Sequence, residues 1–444
     1  EALKCYDAAL KTKSSHSIET KKDHVNLMGC IDGALEAVSE LFGNGHVKYA
    51  KLLHQKGNQH GARSEHTQAI EAYVEALRIY KAQYGDTHLS VANTLYNLGV
   101  SLNAKGSPEK AIKCFVKALR ITKARLGDDH LDVADSYEQI AASNKLIRNY
   151  SEAVAYYEKA LAVRKQSAGG SDMKSSDIMF EMGVLHSDDE QWEKAETAFK
   201  ESLRIRTIHI GSGALLVAES MIRLANVYLS RNENAKALKY FEGSLRVHKS
   251  KLKSSDPDLA KNYQSLGIVH AALGSTDKAI FCLDKSIQIY SDAANGRFDE
   301  NIALSLARRG EVLQSNKQYE EALESFQDCL DLRSSFESFQ SQEAGRIMLQ
   351  MGQVYSIIGD NTNAPSQFGS ALAIYRELYG PKHQEVAEIL EKMSAHFVKV
   401  GELERGYSCV KEALAIREEM LNRGEGNVET MIHAADSRYT MGSI

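Results

Sequence analysis

Apolar and small residues recur along this chain with two superimposed periods, one helical and one of 42 residues. Between residues 89 and 104, Leu95, Leu98, Gly99 and Leu102 stand at i, i+3, i+4 and i+7, one face of a 3.6-residue helix. Between 108 and 126, Ala111, Phe115, Ala118, Leu119 and Thr122 mark the inner stripe of a second helix. The pair then repeats. Ala69, Ala111, Ala153, Ala195, Ala237 and Ala279 are 42 residues apart, and Ala322, Ala364 and Gly406 continue the series after one step of 43. A leucine series from Leu77 to Leu414 keeps the same register.

Three columns of this pattern hold nothing larger than cysteine. The first runs through the first helices as Gly57, Gly99, Ala141, Gly183, Ala225, Gly267, Gly310, Gly352 and Ser394. The other two are the alanine series and a column from Ala76 to Ala413 on the second helices. Opposite them falls a bulky column: Tyr73, Phe115, Tyr157, Phe199, Phe241, Leu283, Phe326, Phe368 and Val410. Close-packed interiors do not absorb extra volume, so small positions facing large ones at fixed spacing specify paired helices in close approach. The expected fold is all-α: a solenoid of antiparallel helix pairs. Residues 46–421 are expected to hold nine such pairs. Residues 1–45 are expected to hold the end of a preceding repeat (Ala2, Cys5, Tyr6, Ala9 and Leu10 match a second helix) and an irregular stretch from His16. Residues 422–444 fit the first helix of a truncated tenth unit, with Ile432, Ala435 and Tyr439 on its stripe.

Punctuation agrees. Pro108 and Pro257 stand where a helix tolerates proline, in its first turn, and Asp256 is a good N-cap. Gly85, Gly127, Gly169, Gly211 and Gly380 follow second helices and suit left-handed C-terminal caps. His88, His130 and His383 share one linker position, which predicts a repeated structural role.

Composition changes the picture mainly by exclusion. The 444 residues carry 54 Lys+Arg against 59 Asp+Glu, a net charge of −5, so no basic excess exists to hold a phosphate backbone, and nucleic acid is not an expected partner. No apolar run approaches the roughly 18 residues that span a bilayer, so membrane insertion is not expected. Only 4 prolines fit an almost wholly helical chain. The 6 cysteines are scattered without a C-x-x-C pair, which favours a reducing, intracellular compartment, cytoplasmic by default. No phosphate-binding glycine loop, nucleophile elbow or H-E-x-x-H motif occurs. The chain is therefore read as non-enzymatic, without cofactor or metal.

The L-x-x-L-G-x-x-L…A-x-x-x-F-x-x-A-L pattern resembles the tetratricopeptide repeat. The 42-residue period and the linkers 84–92, 126–134 and 379–387 resemble its kinesin-light-chain type. The resemblance implies a right-handed superhelix whose first helices line a concave groove. On that face fall six acids, Asp135, Glu138, Asp177, Glu181, Asp188 and Glu219, with Lys145 and Arg223 among them. Beside them lie the apolar Phe180, Val184, Ile222, Leu229 and Ile268. An apolar patch rimmed by charge is what a recognition groove presents, and the same residues could equally pack on neighbouring helices. A weaker basic line follows at Arg308, Arg346, Lys392 and Lys399. The carboxylate clamp of some family members is matched by Asn58 and Asn97, but Asp135 stands where a cation is wanted.

Three functions follow. The leading one is a scaffold or adaptor that binds a protein or peptide segment bearing apolar anchors and basic residues, within a larger assembly. The others are a structural subunit embedded in a multiprotein complex, and the regulatory part of an enzyme whose catalytic domain lies outside this segment.

Overall fold

The structure is a computed structural model and describes residues 21–294, 299–334, 341–424 and 428–443. Among the described residues there are twenty α-helices and no strand. The chain divides into two compact units, Glu1–Ser212 and Gly213–Ile444. Each is a stack of antiparallel helix pairs in which a first helix packs on its second, and the second on the next first.

In the first unit the helices are α1 (Lys21–Phe42), α2 (Val47–Ala62), α3 (His66–Tyr84), α4 (Leu89–Ala104), α5 (Pro108–Leu126), α6 (Leu131–Leu146), α7 (Tyr150–Ala168), α8 (Met173–Asp188) and α9 (Trp192–Ile210). In the second they are α10 (Leu215–Ser230), α11 (Asn234–Lys251), α12 (Pro257–Ala272), α13 (Thr276–Ala294), α14 (Glu300–Ser315), α15 (Tyr319–Ser334), α16 (Gln342–Ile358), α17 (Asn363–Tyr379), α18 (Gln384–Lys399), α19 (Leu403–Asn422) and α20 (Val428–Ser443). The match proposed for Ala2–Leu10 lies outside the described residues. The stretch expected to be irregular carries α1 instead. Ile31, Ala34 and Val38 are buried at the register positions of Tyr73, Ala76 and Tyr80, so α1 does the work of a second helix. In α20 the buried stripe is Thr430, Ala434 and Ser437, while Ile432 and Tyr439 are exposed, so the stripe expected there is rotated.

The small-into-large logic is visible in distances. A Cβ built on Gly57, Gly99, Gly183, Gly310 or Gly352 would come within 2.5–2.7 Å of the ring of Tyr73, Phe115, Phe199, Phe326 or Phe368, respectively. Phe115, Phe199, Phe241, Phe326 and Phe368 are all essentially inaccessible. In these five pairs the first helix offers no side chain where the ring of the second lies.

Two backbone devices set the turns. Inside each pair a residue one or two places after the first helix takes φ between 54° and 84°, whether it is glycine (Gly106, Gly274, Gly359, Gly401) or not (Ser64, Arg148, Glu190, Asn232, Lys317). The turn closes with backbone bonds such as Gln191 N to His186 O at 2.8 Å and Glu190 N to Ser187 O at 3.1 Å, the paired bonds of a Schellman cap. Between pairs, Gly127 has φ 91° and ψ 165°, a region open essentially to glycine alone, rather than the left-handed cap expected; Gly169, at φ 74° and ψ 0°, does take that cap. The linker histidines are N-caps. The Nδ1 atoms of His46, His88, His130 and His383 accept from the backbone N–H two residues on, at 3.1–3.4 Å. Three of the rings stack on the aromatic residue four before, His88 on Tyr84 with centroids 4.2 Å apart.

Candidate functional site

The candidate residues lie on the first helices and divide between the units. Asp135, Glu138, Asp177, Phe180, Glu181, Val184 and Asp188 belong to the first unit. Glu219, Ile222, Leu229 and Ile268 belong to the second.

In the first unit Asp135, Glu138, Asp177 and Glu181 stand beside the chain's own cations. Arg164 on α7 is 2% exposed; its guanidinium binds Asp135 through Nη2 and Asp172 through Nη1 at 2.7 Å, with Glu138 at 3.9 Å. Lys174 adds a second bond to Asp135 at 2.7 Å. One repeat on, Arg206 on α9 donates to Asp177 at 2.9 Å. Lys145 donates to Glu181 at 2.6 Å. Burial pushes the Glu138 carboxyl above the usual range, and the neighbouring Asp135 charge adds to it. Asp172 is held below that range by Ser175 and Arg164 despite its burial. The cluster is thus a network of paired charges, of which Glu138, Lys145, Asp177 and Glu181 line an open pocket of ≈ 390 Å³ together with Tyr157 and Ile178. Phe180 is buried, edge-on to Phe199 with centroids 5.5 Å apart. Val184 is half-buried and Asp188 exposed.

In the second unit Ile222, Leu229 and Ile268 are half-buried and Glu219 is exposed. Glu219 and Ile222 line a pocket of ≈ 330 Å³ between α10 and α12, with His248 of α11 in its wall. Ile268 lines a second pocket of ≈ 190 Å³ with Arg308 and Glu311. Leu229 lines neither. The basic line is largely spent internally: Arg308 pairs with Glu311 at 2.9 Å, Arg346 with Glu311 and Glu343, and Lys399 donates to the carbonyl of Ser356 at 2.6 Å.

The clamp-like amides are occupied by one another. Asn97 donates to Asn58 Oδ1 at 3.1 Å, the Tyr73 hydroxyl donates to the same atom at 2.7 Å, and His54 closes the cluster 3.2 Å from Asn97.

One column escaped the reading of the sequence. Tyr80, Thr122, Arg164, Arg206, His248, Tyr290, Arg333, Tyr375 and Arg417 keep the repeat register, and every one is buried. Its arginines bind acids of the first helices: besides Arg164 and Arg206, Arg333 binds Glu300, and Arg417 binds Glu391 as well as Ser437. The signal was present as a polar residue recurring at an inner position of the second helix.

The comparisons with known proteins agree with this architecture. The model of the tetratricopeptide repeat matches residues 48–124, 90–166, 132–208, 175–250, 216–292 and 258–335. The apo form of RapI resembles the chain with a TM-score of 0.58 at 13% identity, over 85% of this chain and 99% of that one. BtubC (BKLC) from P. vanneervenii gives 0.45 at 21% identity, over 52% of this chain and 91% of that one. A putative kinesin light chain with nearly identical repeats from Podosopora anserina gives 0.42 at 17%, over 47% and 99%. Among curated protein sequences, none matches.

Proposed function

The chain belongs to the tetratricopeptide repeat family, and we propose that it is a non-enzymatic interaction scaffold holding an extended or helical segment of a protein partner along its first-helix face. The observation that supports this reading most is the face itself. The regular columns of the repeat are consumed in packing, whereas Ile222 and Ile268 stand half-buried in open, charge-rimmed pockets of the second unit. Apolar floors with polar rims favour a partner that brings apolar anchors and hydrogen-bonding or charged groups together. The pairing of Asp135, Asp177 and Glu181 within the first unit moves the expected contact with basic partner residues toward Asp188 and the second unit. No helix among the described residues is long and apolar enough to cross a membrane.

A second reading, a subunit embedded in a larger assembly, is favoured by apolar residues exposed on the outer sides of second helices: Val74, Val116 and Phe281, the last 56% exposed. One experiment separates the two. The partner is identified by affinity purification, and its binding is then measured by calorimetry. Ile222→Lys and Ile268→Lys are compared with Val116→Ser and Phe281→Ser. Loss confined to the first pair supports the scaffold, and loss confined to the second pair replaces it with the embedded subunit.

A further inference from the structure

Four positions of each second helix, spaced i, i+3, i+7 and i+10, share one face of the 3.6-residue period. On α5 they hold Lys110, Lys113, Lys117 and Arg120, and all four residues are exposed. On α15 the same register positions hold Glu321, Glu324, Asp328 and Asp331, also exposed. From α3 to α19 only these two second helices carry charge at all four positions, and each carries a single sign. On α9, by contrast, the four are Lys194, Thr197, Glu201 and Arg204.

The charges of α5 are not spent within the chain. Lys110, Lys113, Lys117 and Arg120 enter no ion pair among the described residues. Asp86, the acid whose charge reaches Lys117 and Arg120, is already bound by Lys81 at 2.8 Å. On α15, Glu321 accepts from the Gln318 amide at 3.1 Å and Asp331 from the Gln327 amide at 2.8 Å, while Glu324 and Asp328 pair with no cation among the described residues. Partial burial lifts the Asp328 carboxyl above its usual range, and the like charges of Glu324 and Asp331 add to it; Arg309, which binds Asp284, opposes them in part. Each stripe repels itself and would be relieved by the other.

We propose that the α5 face docks the α15 face of a second copy of this chain. The spacing 3, 4, 3 reads the same in both directions, so four cations can meet four acids whether the helices run parallel or antiparallel. The antiparallel arrangement is favoured by the helix dipoles. Val116, 44% exposed, flanks Lys113 and Arg120 on α5, and Phe281 is exposed on α13, one pair before α15, so each side adds apolar area to the charges. The acids of α15 and the net charge of −5 disfavour a phosphate surface as the occupant of α5. The other basic second helix, α11, is a poorer fit for α15: Gly243 interrupts its stripe and Glu233 holds Lys236. The inference is independent of the scaffold reading, which concerns the first helices.

Sedimentation velocity on the full chain over a concentration series tests it. Reversible association is expected at about 0.05 M salt, weakened at least about tenfold at about 0.5 M. Lys113→Glu with Lys117→Glu leaves both faces acidic, and Glu324→Lys with Asp328→Lys leaves both basic. Each double variant should associate at least about tenfold more weakly than the unmodified chain, and an equimolar mixture of the two should associate again, because opposite faces then meet. The milder Lys117→Gln and Asp328→Asn should each weaken association about threefold, and circular dichroism melts check that every variant is folded. A chain that stays monomeric at low salt, association that survives both reversals, or a mixture no more associated than its components overturns the proposal. So does a monomeric chain that binds phosphatidylserine vesicles through Lys113 and Lys117, which would assign the face to an anionic membrane surface. Partner binding lost in Ile222→Lys and Ile268→Lys but kept in these variants bears on the scaffold reading alone.

Discussion

The guanidinium carbon of Arg206 lies 4.5 Å from the centre of the Phe180 ring. The same guanidinium donates to Asp177 at 2.9 Å, so one buried side chain of α9 covers an aromatic and neutralises an acid, both expected to face a partner. A cation over an aromatic face contributes roughly 0.5–2 kcal/mol, and the aliphatic stem of arginine adds packing. Arg206→Ala should therefore destabilise the first unit by about 1–3 kcal/mol. Denaturant unfolding followed by circular dichroism measures this, and a midpoint equal to that of the unmodified chain would show the contact to be incidental. Asp177→Lys would place two cations together, so a binding defect in that variant reports on folding as much as on recognition.

The contrast between fold and site is one of distance along the chain. Gly183 and Phe199 could be paired from the sequence because their columns differ only in volume, and volume is fixed by residue type. Asp177 could not be paired with Arg206 in the same way. Its partner is on another helix, at a position judged only for packing, and exposed acids look alike in sequence whether they are free or bound. Phe180 was misplaced for a related reason: its position is outward-facing on an isolated helix and becomes covered only when α9 brings Phe199 and Arg206 against it. The histidine caps were legible as a recurring position, but their role depends on the extended backbone of the linker, for example φ −83° and ψ 146° at His88.

Overpacking tests the pairing of columns directly. A Cβ on Gly183 would lie 2.7 Å from the Phe199 ring, which is itself 1% exposed and has nowhere to move. Gly183→Leu should cost on the order of 1–3 kcal/mol despite leucine's better helix propensity. Thermal melting of the variant checks this, and an unchanged melting temperature would mean that the two helices can separate without loss.

The turn position offers the opposite sign. Glu190 holds φ at 54° where Gly106 and Gly274, at equivalent positions, hold 78° and 71°. A left-handed conformation costs a non-glycine residue about 1–2 kcal/mol, and glycine's extra freedom in the unfolded chain returns part of that. Glu190→Gly should raise stability by roughly 0.5–1 kcal/mol, visible as a higher urea midpoint. A lower midpoint would show that the Glu190 side chain contributes more than its backbone strain costs.

Acid should weaken both units through histidine. Burial lowers the proton affinity of His186, His248, His270 and His396 below the usual imidazole range, with Lys194 adding to the effect at His186 and Lys399 at His396. In the unfolded chain these rings take a proton near pH ~6.5, so below that value the unfolded state binds more protons than the folded one. The stability they contribute is complete above pH ~6.5 and is lost as pH falls toward the lower folded values. Urea midpoints should therefore drop between pH 7.5 and 5.5, and the drop should shrink when His396, held 2.9 Å from the Ser356 hydroxyl, is replaced by Asn. A midpoint that stays constant over this interval, or rises, would mean that the buried rings accept protons in place.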